Sequence, residues 1–191
     1  MNKKNIGEIF LAGLLFISSM AQANEPLKVQ VPAVYDSDAY VVPPVKNSCA
    51  VESIVGDNVF QKIAEKQPDA QQVQDPAKMA TGKVLRLTII SVQGIGGGGW
   101  TGSKGITVRA DLIQDGRLVQ STQRKERSRG GLLGPVLGTC AILQSVGEAL
   151  GQHFATWLAK VDSGTSAAQP VAAQATGPSQ LTDQANDQPE P

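Results

Sequence analysis

Lys83-Val84-Leu85-Arg86-Leu87-Thr88-Ile89-Ile90-Ser91-Val92-Gln93 is the stretch on which the fold turns. Leu85, Leu87 and Ile89 point one way, and Val84, Arg86, Thr88, Ile90 and Val92 the other, which is the two-residue period of a strand. A Gly-rich connection runs from Gly94 to Gly105 and carries Trp100. Ile106, Val108, Ala110 and Leu112 then alternate with Thr107, Arg109 and Asp111. Asp115-Gly116 makes a two-residue hairpin turn, because Gly tolerates the positive φ that such turns need. Arg117 to Glu126 returns as a third strand, and its growing polarity suits a sheet edge. Three such strands joined in series predict an antiparallel meander.

Working outward, Leu27, Val29 and Val31 alternate with Lys28 and Gln30, a further half-buried strand over residues 26–34. Pro32 and Pro43-Pro44 predict an irregular crossing after it. From Cys49 to Lys66 the period changes to that of a helix, with Val51, Glu52, Val55, Val59, Phe60 and Ile63 alternating with Asp57, Gln61, Lys62 and Glu65. Asn47 or Ser48 is the expected N-cap, since its side-chain oxygen can accept an orphan backbone N–H, and Pro68 is the stop. Gly56 inside that helix costs about 1 kcal/mol in propensity, which points to close packing there. A second helix is expected over Cys140 to Val161, capped by Thr139. Leu143, Val146, Gly147, Leu150, Phe154, Trp157 and Leu158 form its apolar face. The order β-α-β-β-β-α predicts an α+β two-layer sandwich: an antiparallel meander sheet of three to four strands with two helices on one face. The domain is expected to span residues 24–162. Residues 163–191 are rich in Ala, Gln, Ser, Thr and Pro, and cannot bury enough apolar surface to offset their ordering entropy, so a disordered tail is expected.

The chain has 191 residues, 17 Lys+Arg against 17 Asp+Glu, one His and two Cys. That balance lacks the basic excess of a nucleic-acid binder. One His and two Cys are too few for a structural zinc site, which takes about four ligands. Residues 1–23 read as an export signal. Lys3 and Lys4 precede an apolar run from Ile9 to Ile17, and Ala21 and Ala23 supply the small residues a signal peptidase needs, so cleavage after Ala23 is expected. The run falls short of the roughly 20 apolar residues that span a bilayer, which disfavours the alternative of a retained anchor. Without Lys3, Lys4 and Glu8 the mature chain holds 15 basic and 16 acidic residues, a charge of −1. The expected location is the periplasm, with secretion or outer-membrane association as alternatives.

Cys49 and Cys140 are an even pair in an exported chain, and most simply form one disulfide, two unpaired thiols being the alternative. On the chain-entropy picture a bridge closing so long a loop stabilises by roughly 4–5 kcal/mol. Each cysteine stands at a helix N-terminus, so the bridge requires two helices running side by side in one direction.

Among candidate sites, Gly94-x-Gly96-x-x-Gly99 matches a dinucleotide fingerprint in letters, but a strand follows it where a helix N-terminus is required. Trp100 is a candidate partner contact, a ring folded back on the sheet being the alternative. Arg124, Lys125, Arg127 and Arg129 form a basic cluster that suits anionic lipid or an acidic glycan, against the plainer reading of a solvated edge strand. His153 has no second His as a metal partner. No G-x-S-x-G or H-E-x-x-H occurs, and no catalytic residue, metal or cofactor is expected.

Gly82-Lys83-Val84-Leu85-Arg86-Leu87, the Gly-rich tip, Ile106 to Leu112, Asp115-Gly116 and the terminal helix ending in Trp157-Leu158 together resemble small exported envelope proteins of Gram-negative bacteria of the DUF4410 type. These are related in architecture to the N-terminal domain of TolB and to the polysaccharide-export lipoprotein PelC. The resemblance covers residues 27–161 and rests on hydrophobic spacing. It lacks the lipidated Cys of many relatives. It implies a non-catalytic periplasmic accessory or assembly module, whose partners are proteins of an envelope export or assembly system or further copies of itself through the sheet edge. No nucleic acid and at most peripheral membrane contact are expected. A surface binding protein using the Trp100 loop, and an unrecognised hydrolase, are the alternatives.

Overall fold

A computed structural model describes residues 25–94, 102–129, 132 and 136–164. The expected signal at 1–23, Trp100 with its Gly-rich neighbours, and the tail beyond Gly164 lie outside the described residues. In chain order the elements are β1 (Lys28–Gln30), β2 (Val34–Val41), α1 (Pro43–Ser48), α2 (Val51–Ala64), β3 (Gln71–Val73), a 3-10 turn (Pro76–Met79), β4 (Lys83–Gln93), β5 (Lys104–Gln114), β6 (Arg117–Ser128) and α3 (Thr139–Asp162).

The hairpin meander β4-β5-β6 is present, with β6 on the outside as its polarity predicts. Asp115 and Gly116 turn it with φ of 49° and 77°, and the Asp115 carboxylate accepts the Gly82 N–H at 2.8 Å. The sheet is larger than the predicted three to four strands and is not a simple meander. It has six strands in the order β3-β1-β4-β5-β6, with β2 also on β4, and β1, β2 and β3 are all joined in parallel. β1 and β2 lie end to end along β4, meeting Val84–Leu85 and Thr88–Val92 respectively. The predicted single strand over 26–34 therefore stops at Gln30, and the chain resumes the same sheet position after the cis Val31–Pro32 bond.

The helical layer differs in detail as well. Pro43-Pro44, read as an irregular crossing, opens α1, where the first turn leaves the missing N–H without consequence. Asn47 and Ser48 are consumed in α1, so neither caps α2; Ala50, at φ 43°, makes the bend between the two helices. Gly138 rather than Thr139 caps α3.

The core lies between the helices and one face of the sheet. Leu85, Leu87 and Ile89 meet Leu112, Ala110 and Val108 on that face, as the alternation requires. Val92, assigned to the opposite face by strict alternation, is buried with them beside Ile106. The ladder passes from the Ile89–Val108 pair to Ser91–Thr107, so Ile90 is an extra residue that reverses the inside–outside phase. Val51, Val55, Val59 and Ile63 of α2, and Leu143, Val146, Leu150, Phe154 and Leu158 of α3, complete the core.

Cys49 and Cys140 are joined by a disulfide, with Cα atoms 5.1 Å apart. Below it α2 and α3 run in the same direction. Gly147 packs on Ile54 and Asn58, Gly151 on Asn58, and Gln67 just beyond α2 donates to Asp162 at 2.9 Å. A Cβ at Gly151 would stand 2.5 Å from the Asn58 carbonyl oxygen. Gly56 has the close contact foreseen for it, 3.0 Å from the Ala33 nitrogen to an added Cβ.

Two outcomes follow from these contacts. Replacing both cysteines by serine should lower unfolding free energy by roughly 4 kcal/mol, read by urea denaturation against the oxidised parent. Gly151→Val should cost about 1–3 kcal/mol by forcing α3 off α2, while Gln152→Ala on the exposed side should stay within about 0.5 kcal/mol.

Candidate interaction surface

All three helices contribute to the core, and the opposite face of β4, β5 and β6 carries a polar grid. In successive rows it presents Gln93, Gly105 and Arg127; Ser91, Thr107 and Lys125; Thr88, Arg109 and Gln123; and Arg86, Asp111 and Ser121. The Ser91 hydroxyl donates to Thr107 at 3.1 Å. Asp111 accepts from the Ser121 hydroxyl and, at 3.3 Å, from Arg109 Nε. Arg109 also reaches Asp36 Oδ2 at 3.4 Å, which ties the outward bulge of β2 to the middle of the sheet. Arg109 thus bridges two carboxylates, Asp36 and Asp111, in a connected set.

The predicted basic cluster does not form one patch. Arg124 pairs opposite Val108 and Glu126 opposite Ile106, so both lie on the helix side, where Arg124 Nε donates to Glu126 Oε1 at 2.7 Å. Lys125 and Arg127 lie on the polar face, exposed, and Arg127 donates to Gln93 at 3.3 Å. Arg129 is exposed just past the strand end. Strand alternation thus sends neighbouring cations to opposite sides. The other candidate contact, Trp100, lies outside the described residues.

Sequence reading missed the exposed apolar residues of the two edge strands: Tyr40 at 66% and Val34 at 40% exposure on β2, and Leu118 at 50% and Val119 at 55% on β6. The signal was available at Leu118-Val119, two adjacent apolar residues directly after a hairpin turn. It was not available for Tyr40, because the irregular register of β2 hides its facing. Beneath the helix ends, a cleft of about 330 Å³ is lined by Glu25, Leu27, Gln67, Asp69, Lys83 and Asp162. Across it Lys83 Nζ donates to Asp162. Among the described residues, no group of three or more His, Cys, Asp or Glu is arranged to hold a metal ion. No described helix is long and apolar enough to cross a membrane.

Two half-buried ionisable groups are shifted from their ordinary values. Burial, followed by the nearby Glu52 carboxylate, holds the Tyr35 phenol proton well above the ordinary tyrosine range, and Lys46 lies 5.2 Å from the ring centre. The His153 imidazole is held below its usual value, first by burial and then by Arg124 and Lys160, with Glu126 opposing them.

No family model matches the chain, and no curated protein is similar to it in sequence. Several solved structures are similar to it. PelC from Paraburkholderia phytofirmans, a dodecamer, is 16% identical with a TM-score of 0.41, covering 65% of this chain and 86% of that one. A DUF330 protein from Xanthomonas campestris is 16% identical with a TM-score of 0.48, covering 75% and 90%. A minor lipoprotein from Acinetobacter baumannii is 8% identical with a TM-score of 0.35, covering 71% and 94%. At these values no residue role passes from them to this chain.

His153 yields a pH prediction. Because its folded-state pKa is lowered, the unfolded chain binds the proton more readily, so stability falls as pH drops through the unfolded value near 6.5 toward the folded one. The parent should unfold at lower urea at about pH 5 than at about pH 7.5, and His153→Gln should shrink that difference.

Proposed function

We propose that the protein is a non-catalytic accessory or assembly module of the Gram-negative cell envelope, acting in the periplasm after loss of residues 1–23 and working by holding protein partners. The observation that carries this reading is the Cys49–Cys140 disulfide, which links helices 91 residues apart in sequence and suits an oxidising compartment. The charged groups support a binding role over a chemical one. Asp36, Arg109 and Asp111 bind one another, as do Lys83 and Asp162, so they act as struts of the surface. What the fold offers a partner is the polar sheet face and the edges with their exposed apolar residues.

The test is cross-linking in intact envelopes, followed by affinity recovery of the protein and thiol alkylation of the same material. The expected result is a cross-linked envelope complex in which both cysteines resist alkylation until reduced. Recovery of an uncomplexed monomer with free thiols from the cytosolic fraction would remove the proposal.

A further inference from the structure

We infer that the outer edge of β6 is a docking site for an extended acidic segment of a partner protein, which adds itself to the sheet as a further strand. This rests on the reading of the protein as a partner-holding module and names the chemistry of what is held.

β6 is the last strand of the sheet, and among the described residues no strand pairs with its outer side. From the Leu112–Gln120 pair to the Lys104–Ser128 pair its inner ladder is unbroken over nine residues, with no proline and no bulge. Between those end pairs, Ser121 to Arg127 give about 24 Å of regular edge, along which alternate residues turn backbone N–H and C=O groups outward. An edge so straight and long is one that proteins ordinarily blunt. Only the short bulge at Val119, near the hairpin turn, interrupts β6.

The side chains select the occupant. Arg117, Arg124, Lys125, Arg127 and Arg129 are basic against the single acid Glu126, and the cations project to both sides of the strand. A second copy of this edge would bring the same excess against itself, and like charges directly opposite are destabilising. An acidic strand instead meets cations on both faces while its backbone completes the ladder. Exposed Leu118 and Val119 at the far end give such a strand apolar contact as well. The charges that repel a copy of the chain therefore admit a complementary strand. Main-chain hydrogen bonds would supply affinity, and side chains the choice of sequence.

The test uses the whole mature chain and two blocked nonapeptides, one alternating glutamate with valine or threonine, the other carrying lysine in place of glutamate. Hydrogen–deuterium exchange read by mass spectrometry should show slower exchange over residues 120–128 with the acidic peptide and no change with the basic one. Lys125→Glu combined with Arg127→Glu should weaken the acidic peptide by at least about tenfold and let the basic peptide bind. Lys125→Gln, which removes one exposed charge, should weaken it by about threefold. Equal binding of both peptides, protection confined to other segments, or indifference to the charge reversal would overturn the proposal. So would binding to phosphatidylglycerol vesicles with no peptide-dependent protection of β6, since a lipid surface neutralises cations without filling a strand position. Peptide binding is measured on the isolated protein. Its failure leaves an envelope complex to be explained by another surface, whereas failure of the envelope cross-linking leaves the strand site intact.

Discussion

The two long helices are held against each other by a covalent link at one end and by an absence of side chains along the middle. The disulfide joins Cys49, just before α2, to Cys140 in the first turn of α3. Gly147 and Gly151 then let the backbones approach until Asn58 fills the space between them. Asn58 is buried, yet its amide donates to the Ile54 carbonyl at 2.7 Å and its oxygen accepts from Gln144 at 3.4 Å. At the opposite end Asp162 accepts from both Gln67 and Lys83, which closes the pair onto β4. With the helices fixed in direction and spacing, their apolar sides form a continuous cover for one face of the sheet, and every other surface is left for solvent or partners.

β4 is the strand on which both halves of the chain converge. It receives the parallel strands β1 and β2 on one side and the antiparallel hairpin on the other. The extra residue Ile90 adjusts its phase so that Val92 returns to the core and Ser91 to the polar face. Paired on both sides, β4 has a single exposed residue, Arg86, while β6, paired on one side only, has no buried one and is polar and charged over most of its length.

The parts of this fold legible in the sequence were those with a long, clean period. β4, β5, β6, their tight turn and the apolar faces of α2 and α3 all lie where alternation or helical spacing placed them. So does the parallel run of the helices, because a bridge between two helix starts admits little else. The short elements were not legible. β3 has three residues, too few for a period, and β2 interrupts its pairing around Asp36-Ser37-Asp38, where polar turn-formers mask a strand. α1 was hidden because prolines read as breakers unless their place in the first turn is known. The surface fared less well than the core. The run Arg124 to Arg129 looks like one patch in one dimension, and only the pleat shows that Arg124 and Lys125 belong to different sides.

Parallel helices have an electrical consequence that net charge conceals. Peptide dipoles aligned along α2 and α3 add to one another, giving a positive pole at the bridged end and a negative pole at the end marked by Asp162. Lys62 in the last turn of α2 and Lys160 in that of α3 sit at the negative pole, while Glu52 in the first turn of α2 sits at the positive one. Each of these side chains opposes the pole at which it stands, so the mutual repulsion of two dipoles laid side by side in one direction is offset within the chain itself.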